Sequence, residues 1–254
     1  MLAHDIALAL DPCLLMQEAG LEPDTWQKNF LRSSSDRQLL LCTRQAGKST
    51  VTAIMALHEA LYSANALVLL LSPSLRQSQE LFRKLLQAYG AVANKPPSLQ
   101  ESSLRLELPN GSRIVSLPGK EETVRGFSGV TLLVIDEASR VSDDLYYAVR
   151  PMLAVSSGRI VCLSTPFGKR GFFFEEWTNG QRWNRLKVTA DECPRISPEF
   201  LDEERRTLGP HWFAQEYMCE FADTSHQLFG HDLLMAALDD TIQPLPLLRR
   251  RTAP

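Results

Sequence analysis

The apolar run Gln38-Leu39-Leu40-Leu41 gives way to Cys42-Thr43-Arg44-Gln45-Ala46-Gly47-Lys48-Ser49, and Thr50 to Leu57 then reads as a helix. A buried strand that turns within a few residues into a helix through Gly-Lys-Ser is the context of a phosphate loop, and few folds accommodate it. Successive backbone N–H groups and the helix N-terminus form a cradle for phosphate oxygens. In such a loop Lys48 reaches the β- and γ-phosphates and the Ser49 hydroxyl ligates Mg²⁺, while Thr43, Gln45, Ala46, Gly47 and Thr50 complete the nucleotide contacts. One position departs from G-x-x-x-x-G-K-[ST]: the first glycine is replaced by Cys42. Gly-Lys-Ser alone is common, so the pattern needs a second half.

Leu132-Leu133-Val134-Ile135-Asp136-Glu137 supplies it. The apolar residues read as a strand buried on both faces of a parallel sheet. Two carboxylates at its C-terminal end then stand at the mouth of the sheet, where α/β proteins bind ligands. Asp136 is placed to hold Mg²⁺ through water, and Glu137 to polarise an attacking water. Alone, Asp-Glu after a strand reads equally well as a helix cap. A third landmark follows: the apolar strand Arg159 to Leu163 ends in Ser164-Thr165-Pro166, where Ser164 or Thr165 can sense loss of the γ-phosphate.

The chain is 254 residues long, 44% hydrophobic and 22% charged, which suits one large α/β domain with appendages. A net charge of −3 gives no global basic field, so nucleic acid must be met by a local patch or an assembly. The five cysteines are widely spaced with no C-x-x-C, which predicts free thiols in a reducing compartment. Ile6 to Leu10 is apolar but flanked by Asp5 and Asp11, unlike a targeting signal. No stretch approaches a membrane span, and the expectation is a soluble, cytoplasmic protein.

Periodicity predicts an amphipathic helix over 5–19, a short helix over 25–31, a buried strand over 66–71 and a helix from Leu75 to Tyr89 closed by Gly90. Leu104 to Leu108 and Arg113 to Leu117 alternate with period two around Pro109-Asn110-Gly111-Ser112, an antiparallel hairpin inserted in a βα pattern. A helix over 143–150, a late strand over 183–189 and two helices near 198–208 and 210–219 complete the expectation. Three segments result: an ATPase core over 1–175, the rest of that domain with a helical lid over 176–222, and a linker or tail over 223–254.

In order and spacing, residues 23–222 resemble the ATPase domain of the large terminase subunit, the motor that packages DNA into tailed-phage capsids. Arg44 to Ser49 is similar to that family's variant phosphate loop, which commonly lacks the first glycine. Trp26-Gln27 is similar to its adenine-recognition element, Asp136-Glu137 to its acidic pair and Ser164-Thr165-Pro166 to its coupling motif. The resemblance implies an α/β P-loop NTPase of the ASCE (RecA-like) type, a parallel sheet flanked by helices with a small C-terminal helical lobe. It implies Mg²⁺-dependent ATP hydrolysis, with Arg44 on the γ-phosphate and Arg125 reaching a neighbouring subunit's ATP. The implied partners are double-stranded DNA, the portal protein, the small terminase subunit and further copies in a pentameric ring, the free chain being a monomer. The implied setting is host cytoplasm, from a phage or prophage gene.

Two alternatives share parts of this pattern. The first RecA-like half of a superfamily 2 helicase carries the same motifs in the same order, but it needs a second such domain, and no second set of buried strands follows residue 170. A non-catalytic module on a dead nucleotide fold would have lost one of Lys48, Ser49, Asp136 or Glu137. Large terminases normally continue into a nuclease with a two-metal acidic cluster; Asp239-Asp240 alone does not supply one, so no nuclease activity is expected of this chain.

Overall fold

The computed structural model describes residues 2–119, 124, 126–223, 233, 236 and 237. Eight strands form one mixed sheet: β1 (Arg37–Cys42), β2 (Leu67–Ser72), β3 (Gln100–Glu101), β4 (Arg105–Glu107), β5 (Arg113–Pro118), β6 (Leu132–Asp136), β7 (Arg159–Ser164) and β8 (Asn184–Val188). Their spatial order is β3-β4-β5-β2-β6-β7-β1-β8. From β5 to β8 every neighbour pair is parallel, and at the other edge β4 runs antiparallel to both β3 and β5.

The central strands are apolar without interruption because both faces are covered. Side chains alternate across a strand, so Leu40, Val68, Leu70, Leu132 and Val134 enter one core while Leu39, Leu41, Leu69, Leu133 and Ile135 enter the other. The first core is roofed by α2 (Pro12–Glu18), α3 (Thr25–Leu31), α4 (Lys48–Tyr62) and α5 (Leu75–Ala91). The second lies under α6 (Asp143–Val149) and α7 (Gly171–Thr178). Burying each such leucine contributes about 1.5–3 kcal/mol.

Register sets the functional edge. Leu41 pairs with Ser164 across β1 and β7, and Asp136 with Leu163 across β6 and β7. The ends of β1, β6 and β7 therefore fall together at the C-terminal edge of the sheet. β7 lies between the phosphate-loop strand and the Asp-Glu strand.

Several expectations are corrected. The stretch 5–19 is two helices, α1 (Leu2–Leu10) and α2, because Pro12 disfavours helical geometry at Asp11. Asp11 instead caps α2, its Oδ1 accepting from Cys13 N at 3.0 Å. The hairpin is antiparallel as expected, β4 against β5, and β5 also runs parallel to β2 along its whole length, which makes it a full member of the sheet. Its turn requires Gly111, at φ +83°, and Asn110 Nδ2 anchors it by donating to the carbonyl of Ala60 at 2.8 Å. The helix α8 (Pro198–Glu216) is interrupted at Gly209 (φ 74°, ψ 168°) just before Pro210, where the sequence places the division between two helices. All five cysteines are buried and unpaired. Among the described residues no helix is long and apolar enough to cross a membrane.

Candidate nucleotide site

The loop between β1 and α4 reverses through two left-handed residues, Gln45 at φ +63° and Gly47 at φ +90°. Gly47 is the tighter: a Cβ there would lie 2.8 Å from Gln27 Nε2 and 3.4 Å from Arg195 Nη2. A backbone held this closely with its helix N-terminus facing outward suits phosphate oxygens.

A cavity of about 670 Å³ opens over this loop. Of the residues expected at the site, Arg44, Gln45, Gly47, Lys48, Ser49, Glu137 and Thr165 line it. Lys48 is 8% exposed; its Nζ donates to the Thr43 carbonyl at 3.3 Å and lies 3.9 Å from Glu137 Oε1. Glu137 itself sits at φ +50°, a sharp turn that lifts its carboxylate off the end of β6 toward the cavity. Ser164 Oγ lies within hydrogen-bond reach of Glu137 Oε2, at 3.3 Å.

Asp136 is 5% exposed, and its Oδ1 accepts from Glu137 N at 3.0 Å. Burial, reinforced by the Glu137 charge, raises its carboxyl to about 6, against partial relief from Lys48. Asp136 lies just behind the cavity-lining Glu137 rather than on the cavity wall with Ser49, and its carboxylate with the Ser49 hydroxyl is a set of oxygen donors of the kind Mg²⁺ takes, reached on the Asp136 side through water. Among the described residues no cluster of three or more His, Cys, Asp or Glu forms a self-sufficient metal centre. Phosphate oxygens would have to complete the coordination, as is usual for this ion.

The remaining expected residues take other positions. Trp26 does not line the cavity; it is buried in the core beneath α3. Gln27 is buried as well, and its Oε1 accepts from Asp24 N at 2.9 Å in the cap of α3. Thr43 turns away, its hydroxyl donating to the Glu216 carbonyl at 2.9 Å. The Ala46 carbonyl accepts from Arg195 Nη2 at 2.7 Å, and Thr50 faces a separate groove along α4 and α5. Arg44, on the cavity wall, is also paired through Nε with the Glu216 carboxylate at the end of α8. Arg125 lies outside the described residues.

Several site residues are not announced by the sequence. Gln77 and Lys84 of α5 and Arg140, just past Glu137, also line the cavity. Among the described residues that line the cavity, Lys84 and Arg140 join Arg44, which Glu216 already pairs, and Lys48, and Glu137 contributes a carboxylate. That balance favours a polyanion. Arg195 ties the segment after β8 both to the loop and, at 2.7 Å, to Asp24 Oδ2. Ser139 Oγ lies 2.6 Å from Ser164 Oγ and 2.8 Å from the Thr165 carbonyl oxygen.

The sequence profile described as terminase large subunit, T4likevirus-type, N-terminal, matches residues 39–235. The chain belongs to the large terminase subunit family. It is 26% identical over 253 residues to the large terminase subunit of Thermus virus P23-45, covering 85% of this chain and 52% of the relative. The chain thus spans about half the length of that relative. Among solved structures, the large terminase ATPase domain of Thermus phage P74-26 superposes with a TM-score of 0.71 at 21% identity, over 82% of this chain and 97% of that one. The large terminase of a second thermophilic bacteriophage, solved in complex with ATP-γ-S, gives 0.61 at 13% identity, over 78% of this chain and 53% of that one. The helicase alternative is not favoured.

Proposed function

We propose that this terminase chain is a Mg²⁺-dependent ATPase motor domain whose hydrolysis cycle drives double-stranded DNA into a procapsid. The observation that carries the reading is the convergence of Lys48 and Glu137, 3.9 Å apart, over a loop strained into a phosphate cradle. The nucleotide complex of a structurally similar terminase supports it.

On this reading Lys48, the loop amides and Arg44 offset charge on the phosphates as the bond to the leaving group lengthens. Glu137 accepts a hydrogen bond from the attacking water and aims it in line with the γ-phosphate. Mg²⁺, when bound by Ser49 and through water by Asp136, would draw charge from the phosphate oxygens. Arg44 must exchange the Glu216 carboxylate for phosphate, so nucleotide arrival loosens one tie between the phosphate loop and α8. Loss of the γ-phosphate would relax Ser164 and Thr165 and restore that tie. Residues 1–175 then form the core of the motor, 176–222 the rest of that domain with a helical lid, and 223–254 a linker.

DNA, portal protein, small terminase subunit and a ring of copies in the host cytoplasm follow from the family reading, with Arg125 supplied to a neighbour's nucleotide. The test is steady-state ATP hydrolysis against protein concentration, for wild type and Arg125→Ala. Specific activity that climbs with concentration and collapses in the variant supports a shared site. Activity indifferent to both would remove the neighbouring arginine from the mechanism.

A further inference from the structure

Three short contacts link Glu137 to the Ser-Thr-Pro segment. Ser164 Oγ lies 3.3 Å from Glu137 Oε2, Ser139 Oγ lies 2.6 Å from Ser164 Oγ, and Ser139 Oγ lies 2.8 Å from the Thr165 carbonyl oxygen. Ser164 and Thr165 are buried, at 0% and 2% exposure, so the Ser164 hydroxyl is served from within the set, while Glu137 and Ser139 are half-buried at the cavity side. A carboxylate and a carbonyl only accept, and each serine hydroxyl carries one proton. Three contacts therefore compete for two protons.

The 2.6 Å separation of the two hydroxyl oxygens requires a proton between them, since otherwise lone pair would face lone pair. One proton remains for the two outer acceptors. If Ser139 donates to Ser164, then Ser164 donates to Glu137 and the Thr165 carbonyl goes without Ser139. If Ser164 donates to Ser139, then Ser139 donates to Thr165 and Glu137 Oε2 is released. The two arrangements differ only by rotation of two hydroxyls, and each is a head-to-tail chain in which the donors polarise one another.

We propose that Ser139 is a positioning residue that gates Glu137 through this relay. In one state Glu137 is held by Ser164 and is withheld from water. In the other, Glu137 is free to orient water while the Ser-Thr-Pro segment is pinned through the Thr165 carbonyl. Thr165 also lines the nucleotide cavity, so a phosphate against this segment biases the relay and links occupancy to the readiness of Glu137. The inference rests on the hydrolytic reading of the site and deepens it.

Single-turnover ATP hydrolysis tests it, combined with nucleotide affinity, in Ser139→Ala, Ser139→Thr, Ser164→Ala and the double alanine variant. With Ser139 removed, the Ser164 proton has only Glu137 to serve, so hydrolysis slows by about tenfold while nucleotide affinity stays within about twofold. Ser139→Thr keeps the hydroxyl and recovers most of the rate. In the Ser164→Ala background the path to Glu137 is already cut, and adding Ser139→Ala changes the rate by less than about twofold. The relay is overturned if Ser139→Ala slows hydrolysis by the same factor in both backgrounds, if Ser139→Thr is as slow as Ser139→Ala, or if Ser139→Ala has the wild-type rate. Absence of hydrolysis by the wild type at any concentration would instead defeat the ATPase reading on which the relay depends.

Discussion

Replacing Asp136 by asparagine should make the nucleotide-free protein more stable while weakening its hold on Mg²⁺-nucleotide. The carboxyl sits at the end of β6 at 5% exposure, and burial plus the Glu137 charge raise it from 3.8 to about 6. A carboxylate raised in this way binds its proton more tightly in the folded chain than in the unfolded one. Its contribution to folding is therefore most favourable below 3.8 and is lost as pH rises through about 6. Once ionised, it opposes folding by about 1–3 kcal/mol. Asparagine keeps an acceptor for the Glu137 N–H and removes the charge. At about pH 7.5 Asp136→Asn should melt about 3–10 °C above wild type, and the gap should close as pH falls from about 6 toward about 4. With Mg²⁺ and nucleotide the order narrows or reverses, because wild type gains binding energy that the variant forgoes. Differential scanning calorimetry across pH, with and without Mg²⁺-nucleotide, reads both effects. A variant that melts at or below wild type near neutral pH without ligand, or a gap that widens on acidification, would refute the reasoning.

Three further outcomes are expected. Glu216→Gln weakens the clasp on Arg44 and should tighten nucleotide binding about two- to fivefold in a fluorescent-nucleotide titration; weaker binding would count against competition between Glu216 and phosphate. Arg195→Ala removes the hydrogen bond to the Ala46 carbonyl and the pair with Asp24, so KM should rise several-fold with kcat little changed, and a pure kcat defect would contradict a loop-positioning role. Gly47→Ala places a methyl against Gln27 at φ +90°. It should destabilise by about 1–3 kcal/mol and reduce nucleotide affinity at least about tenfold, readable as a lowered melting temperature and a lost titration signal.

What the sequence reveals of this fold is what is encoded locally. β1, the phosphate loop and α4 are contiguous, and so are β6 with Asp136-Glu137 and β7 with Ser164-Thr165. Each announces itself through buried-strand composition and a polar tip. The parallel pairing of β5 with β2 is not local; the hairpin turn shows only the antiparallel partner β4, and the other edge of β5 is settled by the sheet as a whole. The split at Asp11-Pro12 was legible in principle, since proline restricts the residue before it. Trp26 reads as a ligand contact from its neighbour Gln27, but an indole on an apolar helix face goes to the core when one is available.

The site residues missed by sequence share one property. Arg195 reaches the loop because β8 lies beside β1, about 150 positions along the chain from its contact at Ala46. Glu216 reaches Arg44 because α8 ends over the same edge. Lys84 and Arg140 are ordinary surface cations in sequence, and only the cavity gives them a common face. Ser139 carried one usable signal: it follows the acidic pair at the distance of one tight turn, where a hydroxyl can meet the neighbouring strand end.

The central claim is that this cleft binds a nucleoside triphosphate through Lys48 and hydrolyses it through Glu137. The most direct measurement sets nucleotide affinity beside hydrolysis for wild type, Lys48→Ala and Glu137→Ala under one set of conditions. The account predicts that Lys48→Ala loses hydrolysis and most of the affinity, whereas Glu137→Ala keeps its affinity and loses turnover. Wild-type turnover in Glu137→Ala, or undiminished affinity in Lys48→Ala, would contradict it.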